Sequence, residues 1–494
     1  MEGPGDGLPE RASTLTMIAP VRREPSSWRV RGWMPAVVFL IVLTAQLWLV
    51  ARAGTDIPIL DQWDVEGRRL YPAWRDGTLG LADLLRPHNE HRMLWTHLLN
   101  LALFATNGQW DPLVQMAAGA CVRAACAAGL AAWLVRSVGH ARGGWLIGLA
   151  VSAAFLPHLA WHNVLWGFQS QVWFALLFSL LALALLGEPA ISRGRCFAGL
   201  AAGAAAMLAM GAGSLVALPL LGLAVLRAVE RSTRDGRWWR ETWPACVLMV
   251  MAWALIPGSA DNGNLHPTSA GQFFAALGRM LAWPHVDQPL AALALNLPLV
   301  WAVGERLARR RPADTGEDFS LALGGWALAI GVAAAWARGG AAELAVGVPS
   351  RYVDFIVLLP LANGLCLAGL VARGVGRARG RTRALAAAWA VFLGVGWLGL
   401  SAQMWRRVLV PRMRDRDAPV RLMQAFQRDG DAAVFAGQPR LLVPHSNLEV
   451  VRAVLADPGL RGVLPPSLQP ERPLGPLSRG VRSAPGSHAG SDSR

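Results

Sequence analysis

Lysine is missing from this chain altogether: all 47 basic residues are arginine. Tyrosine is nearly missing, with only Tyr71 and Tyr352. Charge of either sign is scarce, at 16% of 494 residues, where a soluble domain carries about 25%. That shortage excludes an ordinary soluble globular protein. The five cysteines (Cys121, Cys126, Cys196, Cys246 and Cys366) all lie in apolar runs, and none forms a C-x-x-C pair. They read as small core hydrophobes and give no basis for a disulfide framework or a cysteine metal site.

What fills the chain is apolar. Hydrophobic residues make up 54%, and the mean hydropathy is +0.35. Several runs reach the roughly 17–25 residues that cross a bilayer. The fold expectation is an all-α polytopic membrane protein, because barrels lack such runs. The net charge of +15 does not point to nucleic acid. Much of the arginine sits in short connectors between apolar runs, which is the pattern of cytoplasmic loops.

Residues 1–30 read as a disordered cytoplasmic tail, and 31–405 as the transmembrane domain. The first span runs from about Trp33 to Val50, behind Arg22, Arg23, Arg29 and Arg31. "ARA" at Ala51–Ala53 resembles a signal cleavage site. The apolar run exceeds the usual core of about 7–15 residues, so an uncleaved anchor is expected. A polar loop at 53–92 follows. Further apolar runs lie near 112–135, 144–160, 169–187, 196–211, 213–228, 242–257, 287–304, 319–337, 352–371 and 384–403. Arginine-bearing connectors at 136–142, 188–195, 227–240, 305–318 and 372–383 alternate with "WHNVLWGFQSQ", "GAGS" and "PGSADNGNLHP", which have no arginine. The arginine side is cytoplasmic by this rule.

Segment 93–107 breaks the alternation. A crossing there would move the Arg136–Arg142 connector outside. The segment is also short and carries His97 and Asn100. It is expected to lie along the outer interface or re-enter without spanning. That leaves about 11 crossings, with the N-terminus cytoplasmic and the C-terminus extracytoplasmic. Residues 406–464, with mixed Arg and Asp and short apolar runs, read as a small extracytoplasmic α/β unit. Residues 465–494 read as a disordered tail.

The first outer loop is the place for chemistry. "PILDQWD" puts Asp61 and Asp64 three apart, on one face if helical. Such a pair suits a divalent cation, Mg or Mn, or a general base near a dry membrane edge. A solvated loop of mutual ion pairs is the plain structural alternative. "RPHNEHR" follows, with His88, Glu90, His91 and Arg92. It lacks the H-E-x-x-H zinc spacing and suits hydrogen bonding to a phosphate or sugar, with Arg92 as the anion clamp. Arg123 lies inside an apolar run, so it faces a polar cavity or snorkels outward. In "VPSRYVDF", Arg351 and Asp354 stand three apart and are placed to pair with each other. Arg351, next to Tyr352, is also placed to bind a lipid phosphate.

Together these features resemble the GT-C superfamily of polytopic glycosyltransferases. The resemblance rests on an N-terminal span, an outer loop with "DQWD" and "DGTLGLADLL", and a basic polar cluster with a juxtamembrane helix. It rests also on "VRAACAAGLAAWLV", the broken pair "AAAMLAMGAGSLVALPLL" and the late "SRY". It spans most of the membrane region, and no single motif is diagnostic. The resemblance implies a glycosyltransferase in a bacterial inner membrane. Its donor would be a lipid-phosphate-linked sugar, and its acceptor an extracytoplasmic glycan or lipid. Asp61, and next Asp64, would be the catalytic acidic residue. The superfamily's frequent Asp-Glu dipeptide is absent, and "HNEHR" stands where it often has Pro-Pro. The choice between base and metal ligand therefore stays open. A transporter or flippase of lipid-linked glycans and an assembly scaffold are the alternatives. No inverted repeat of the kind transporters carry is visible.

Overall fold

The computed structural model describes residues 26–138, 141–189, 191–231, 237–257, 263–309, 315–374, 376–439 and 442–469. The expected tails lie almost wholly outside these residues. The described residues are mostly helical and include no strand. Among the described residues the one extended pairing is a single bridge between His88 and His91.

Eight helical segments among the described residues are long and apolar enough to cross a membrane. They are Gly32–Ala53, Pro112–Ser137, Gly167–Leu186, Gly211–Glu230, Ala291–Ala308, Thr315–Arg338, Ser350–Arg373 and Arg379–Arg414. Gly143–Ala154 is apolar but shorter. The helices Arg193–Met207 and Arg237–Leu255 occupy two more of the apolar runs. Local chemistry sets the ends. Asp111 accepts from the backbone N–H groups of Leu113 (2.9 Å) and Val114 (3.2 Å), ahead of a proline that starts the Pro112–Val138 helix. Small residues set the approach of neighbours. A Cβ on Gly119 would stand 2.4 Å from the Trp173 ring, so glycine there lets two helices meet closely.

The Thr315–Arg338 helix separates two polar regions. Its 24 residues rise about 36 Å. At its start, Asp318 accepts from Arg227 (2.6 Å) and Arg306 (2.6 Å), and Arg306 also holds Glu230. Arg373 reaches Glu305 at 3.0 Å and Glu317 at 3.4 Å. This network ties together the helix ends beside the arginine-bearing connectors. At its other end, Arg338 meets Glu90 of the first loop at 3.0 Å.

The Leu94–Asn107 helix is 14 residues long and ends at Gly108, whose φ of +67° closes the last turn. At about 1.5 Å per residue it falls short of a bilayer core of about 30 Å. It rests against the first loop along its length. His97 Nδ1 is 2.8 Å from the Leu84 carbonyl, and Asn100 donates to Glu66 at 2.6 Å.

The C-terminal segment corrects an expectation. Among the described residues it has no strand and is helical, with helices at Ala418–Asp429 and Leu448–Ala456. Val450, Val451, Val454 and Leu455 are buried, a helical period rather than the alternation a strand needs. It packs against the first loop. Met423, Phe426, Phe435, Val451 and Val454 share one apolar cluster with Ile57, Trp63, Leu70, Tyr71 and Trp110 of the first loop and its surroundings.

Candidate functional site: a seam of aspartate and histidine

The first loop turns into a helix at "PILDQWD". Leu60 takes a left-handed φ of +51°, and its N–H donates to the Pro444 carbonyl of the C-terminal unit at 2.6 Å. Gln62 caps the turn by accepting from the Ile59 N–H at 3.1 Å. The helix that follows buries Trp63, Glu66, Gly67 and Leu70. Asp61 and Asp64 lie on its partly exposed side.

Each aspartate has a histidine. Asp64 Oδ2 is 2.9 Å from His445 Nε2, and Asp61 Oδ1 is 3.5 Å from His88 Nε2. His445 also has its Nδ1 2.8 Å from the Asn447 carbonyl. The Asn447 N–H also approaches that Nδ1, at 3.1 Å, so Nδ1 has both a donor and an acceptor beside it while Nε2 faces the Asp64 carboxylate. The Asp64 hydrogen bond accordingly raises the pKa of His445. It lowers that of Asp64, helped by Coulombic attraction from His445, His88 and Arg68 against the opposing effect of burial. Asp61 has only the longer 3.5 Å contact with His88, and one-third of its side chain is exposed.

"RPHNEHR" folds into a tight turn. The backbones of His88 and His91 exchange hydrogen bonds of 2.9 and 3.1 Å, with Asn89 at a left-handed φ of +50°. His88 makes the contact with Asp61. Glu90 is held by Arg338. His91 is half-buried, and its desolvation lowers its pKa. The Arg92 guanidinium donates to the carbonyls of Leu255 and Leu85, both at 2.9 Å. Its expected role as an anion clamp therefore competes with two backbone bonds.

Arg123 and Arg351 part company. Arg123 is fully buried and donates to Asp354 at 2.9 Å and to the Phe155 carbonyl at 2.7 Å. Asn163 (2.9 Å) and Trp173 (3.1 Å) saturate the other Asp354 oxygen. The expected Arg351–Asp354 pair is not formed, because the buried Arg123 takes the carboxylate and Arg351 turns outward to Glu343 at 2.6 Å. Arg351 also lies over the Tyr352 ring at 5.2 Å. This cluster joins the first loop through the Trp161–Val164 turn: Asn163 donates to the Arg351 carbonyl at 3.1 Å, and Trp166 to the Ile59 carbonyl at 3.1 Å.

Two residues of the seam escape a reading of the sequence. His445 lies 381 residues from Asp64, and no local signal joins them. Glu66 is fully buried and is the acceptor for five side chains: Asn100 (2.6 Å), Trp110 (2.7 Å), Gln115 (3.1 Å), Gln62 (3.3 Å) and Tyr71 (3.4 Å). Desolvation raises its pKa despite these donors. The available signal was position, since Glu66 falls on the apolar stripe of Trp63, Leu70 and Tyr71. Gly67 allows this packing: a Cβ there would stand 2.9 Å from the Trp110 ring.

Among the described residues no group of three or more His, Cys, Asp or Glu side chains is placed to hold a metal ion. An open groove on the Arg237–Leu255 helix is lined by Trp239, Trp243, Cys246, Val247, Val250 and Met251. It shares no residue with the seam and offers no acid–base group. No protein-family model matches the chain, and no curated protein or solved structure matches it significantly.

Proposed function

We propose that this protein is a membrane glycosyltransferase, moving a sugar from a polyprenyl-phosphate donor to an extracytoplasmic acceptor. In this reading the chain crosses a bacterial inner membrane 11 times, the Leu94–Asn107 helix lies in the outer interface, and the seam faces outward. The observation that carries the proposal is the inequality of the two Asp–His pairs. Asp64 is hydrogen-bonded to His445 Nε2 at 2.9 Å, which lowers its pKa and makes it a poor base. Asp61 keeps an oxygen open beside His88, as a general base for an acceptor hydroxyl must.

The chemistry then has a direction. Asp61 takes the hydroxyl proton as the acceptor oxygen bonds to the anomeric carbon. The bond from that carbon to the lipid phosphate breaks, and its electron pair leaves with the phosphate. Arg351, braced by Glu343 and Tyr352, is the cation for that leaving group. Arg123 is committed to Asp354 and serves the frame instead. A divalent cation beside the aspartates remains part of the proposal as a tested variable.

The test is transfer from a radiolabelled polyprenyl-phosphate sugar by the protein reconstituted in liposomes, with Mg2+ or Mn2+ and with a chelator. Asp61→Asn is expected to lower transfer by about 10²–10⁴-fold with the fold intact. Full activity in a folded Asp61→Asn protein removes Asp61 as the base. Movement of lipid between leaflets by a wild type that transfers nothing replaces the proposal with a flippase.

A further inference from the structure

Where the first loop packs on the Leu94–Asn107 helix stand basic side chains that the reaction above does not use. His97 is 1% exposed. Its Nδ1 is committed to the Leu84 carbonyl at 2.8 Å, so Nδ1 carries the proton and Nε2 is left with a bare lone pair. That Nε2 is buried and has no partner. The same holds for one terminal nitrogen of the Arg69 guanidinium, which is buried without a hydrogen-bond acceptor. Arg69 lies near enough to feel Arg86 and Asp83, and His97 near enough to feel Arg69 and His88.

A buried guanidinium nitrogen without an acceptor is costly, and so is a buried ring nitrogen without a partner. Asp83 does not quench the site. It forms no ion pair with Arg69, and its carboxylate accepts from the Gly80 N–H at 3.0 Å. Glu66, on the same helix as Arg69, is turned to its own five donors. The nearby positive groups therefore outnumber the one available acid.

We propose that Arg69 and His97 form an oxyanion site for a tetrahedral phosphate-type group, where the first loop packs on the Leu94–Asn107 helix. An oxyanion there supplies the acceptor that Arg69 lacks. It also supplies an acceptor for His97 Nε2 once that nitrogen is protonated. In the empty site burial, with Arg69 and His88, lowers the His97 pKa to about 4, so the ring is neutral at pH 7. Placing a negative charge against Nε2 favours the imidazolium. Ligand uptake is thereby coupled to proton uptake. The proposal does not depend on the transferase reading, because it concerns binding and not turnover.

Sulfate is the clean probe, since it does not itself titrate between pH 5 and 8. The experiment is isothermal titration of sulfate into the full chain in phosphatidylcholine nanodiscs across that range, in two buffers of different ionisation enthalpy. The expected result is saturable binding that tightens as pH falls, with proton uptake. Arg69→Gln weakens it about tenfold. His97→Gln removes the pH dependence, and Arg428→Gln, a surface arginine at 73% exposure, changes neither. Inorganic phosphate at fixed pH competes with sulfate. Nanodiscs containing phosphatidic acid separate the sources: competition assigns the site to a lipid headgroup, and its absence to a soluble phosphate. Absence of saturable binding overturns the proposal. So does binding that Arg69→Gln leaves unchanged, and because Arg69 is only half-buried that variant tests the site even where His97→Gln fails to fold.

Discussion

Arg123 and Asp61 are both chargeable side chains near apolar helices, yet their surroundings differ completely. Arg123 has its charge opposed by Asp354, a carbonyl on another of its nitrogens, and the Phe155 ring beneath it. Asp354 in turn accepts from three different side chains. Asp61 has one loose histidine neighbour and an exposed third of its side chain. Inside the bundle, desolvation makes an unpaired charge intolerable, so the pair is closed. At the seam, water supplies what the protein leaves out. An open group is tolerated there, and chemistry requires an open group.

The comparison breaks most visibly at the closed pair. Arg123→Leu strands Asp354 and is expected to cost about 3–5 kcal/mol, read as loss of monodisperse protein on size exclusion. The double variant with Asp354→Leu recovers most of it. A well-folded single variant would show that the pair is not closed. Next in size is Glu66→Ala, which strands the buried donors of Asn100, Trp110 and Tyr71 and takes one of two acceptors from Gln62 and Gln115. A loss of about 3 kcal/mol is expected, seen as faster proteolysis across 418–469, whereas Glu66→Gln, which keeps one acceptor oxygen, loses less.

The seam pair comes third, and its effect depends on pH. The folded pKa of His445 is raised, so its contribution is complete below about pH 6.5 and is lost as pH rises through the folded value. The folded pKa of Asp64 is lowered, so its share is present above the unfolded carboxylate pKa and is lost as pH falls through the folded one. The C-terminal unit is therefore expected to dock best between these limits and to loosen toward alkaline pH. Amide exchange over 442–469 at pH 6 and pH 9 measures this, and His445→Gln should remove the alkaline change. The smallest effect is expected at Arg75, whose exposed pair with Asp457 (2.8 Å) is screened by water. Arg75→Gln should leave the melting temperature unmoved.

Length and apolar content made the membrane helices legible, and the polarity of His97 and Asn100 marked 93–107 as unlike the others. "DQWD" was legible as an acidic site because its aspartates are close in sequence. The Asp64–His445 pair was not, because it is made by tertiary folding alone. Short runs such as "AAVFAG" suggested strands. They fold as turns and helices because their apolar residues answer to the face of the first loop, which sequence alone does not display. The Arg351–Asp354 spacing was read as a local pair. A more deeply buried arginine, 231 residues away, outcompetes it.

Leu60 bonded to Pro444, Trp110 to Val463 and Ser467 to Asp56 close a circuit between early and late parts of the polypeptide. The order of synthesis therefore matters. When the first loop has emerged, Asp64 has no histidine and Trp63, Leu70 and Tyr71 lack part of their cover. Every later helix has to be inserted before residues 418–469 can arrive. The protein thus carries a built-in delay: the seam is assembled last, and a chain stalled midway through insertion exposes an unfinished apolar surface that quality-control proteases can recognise.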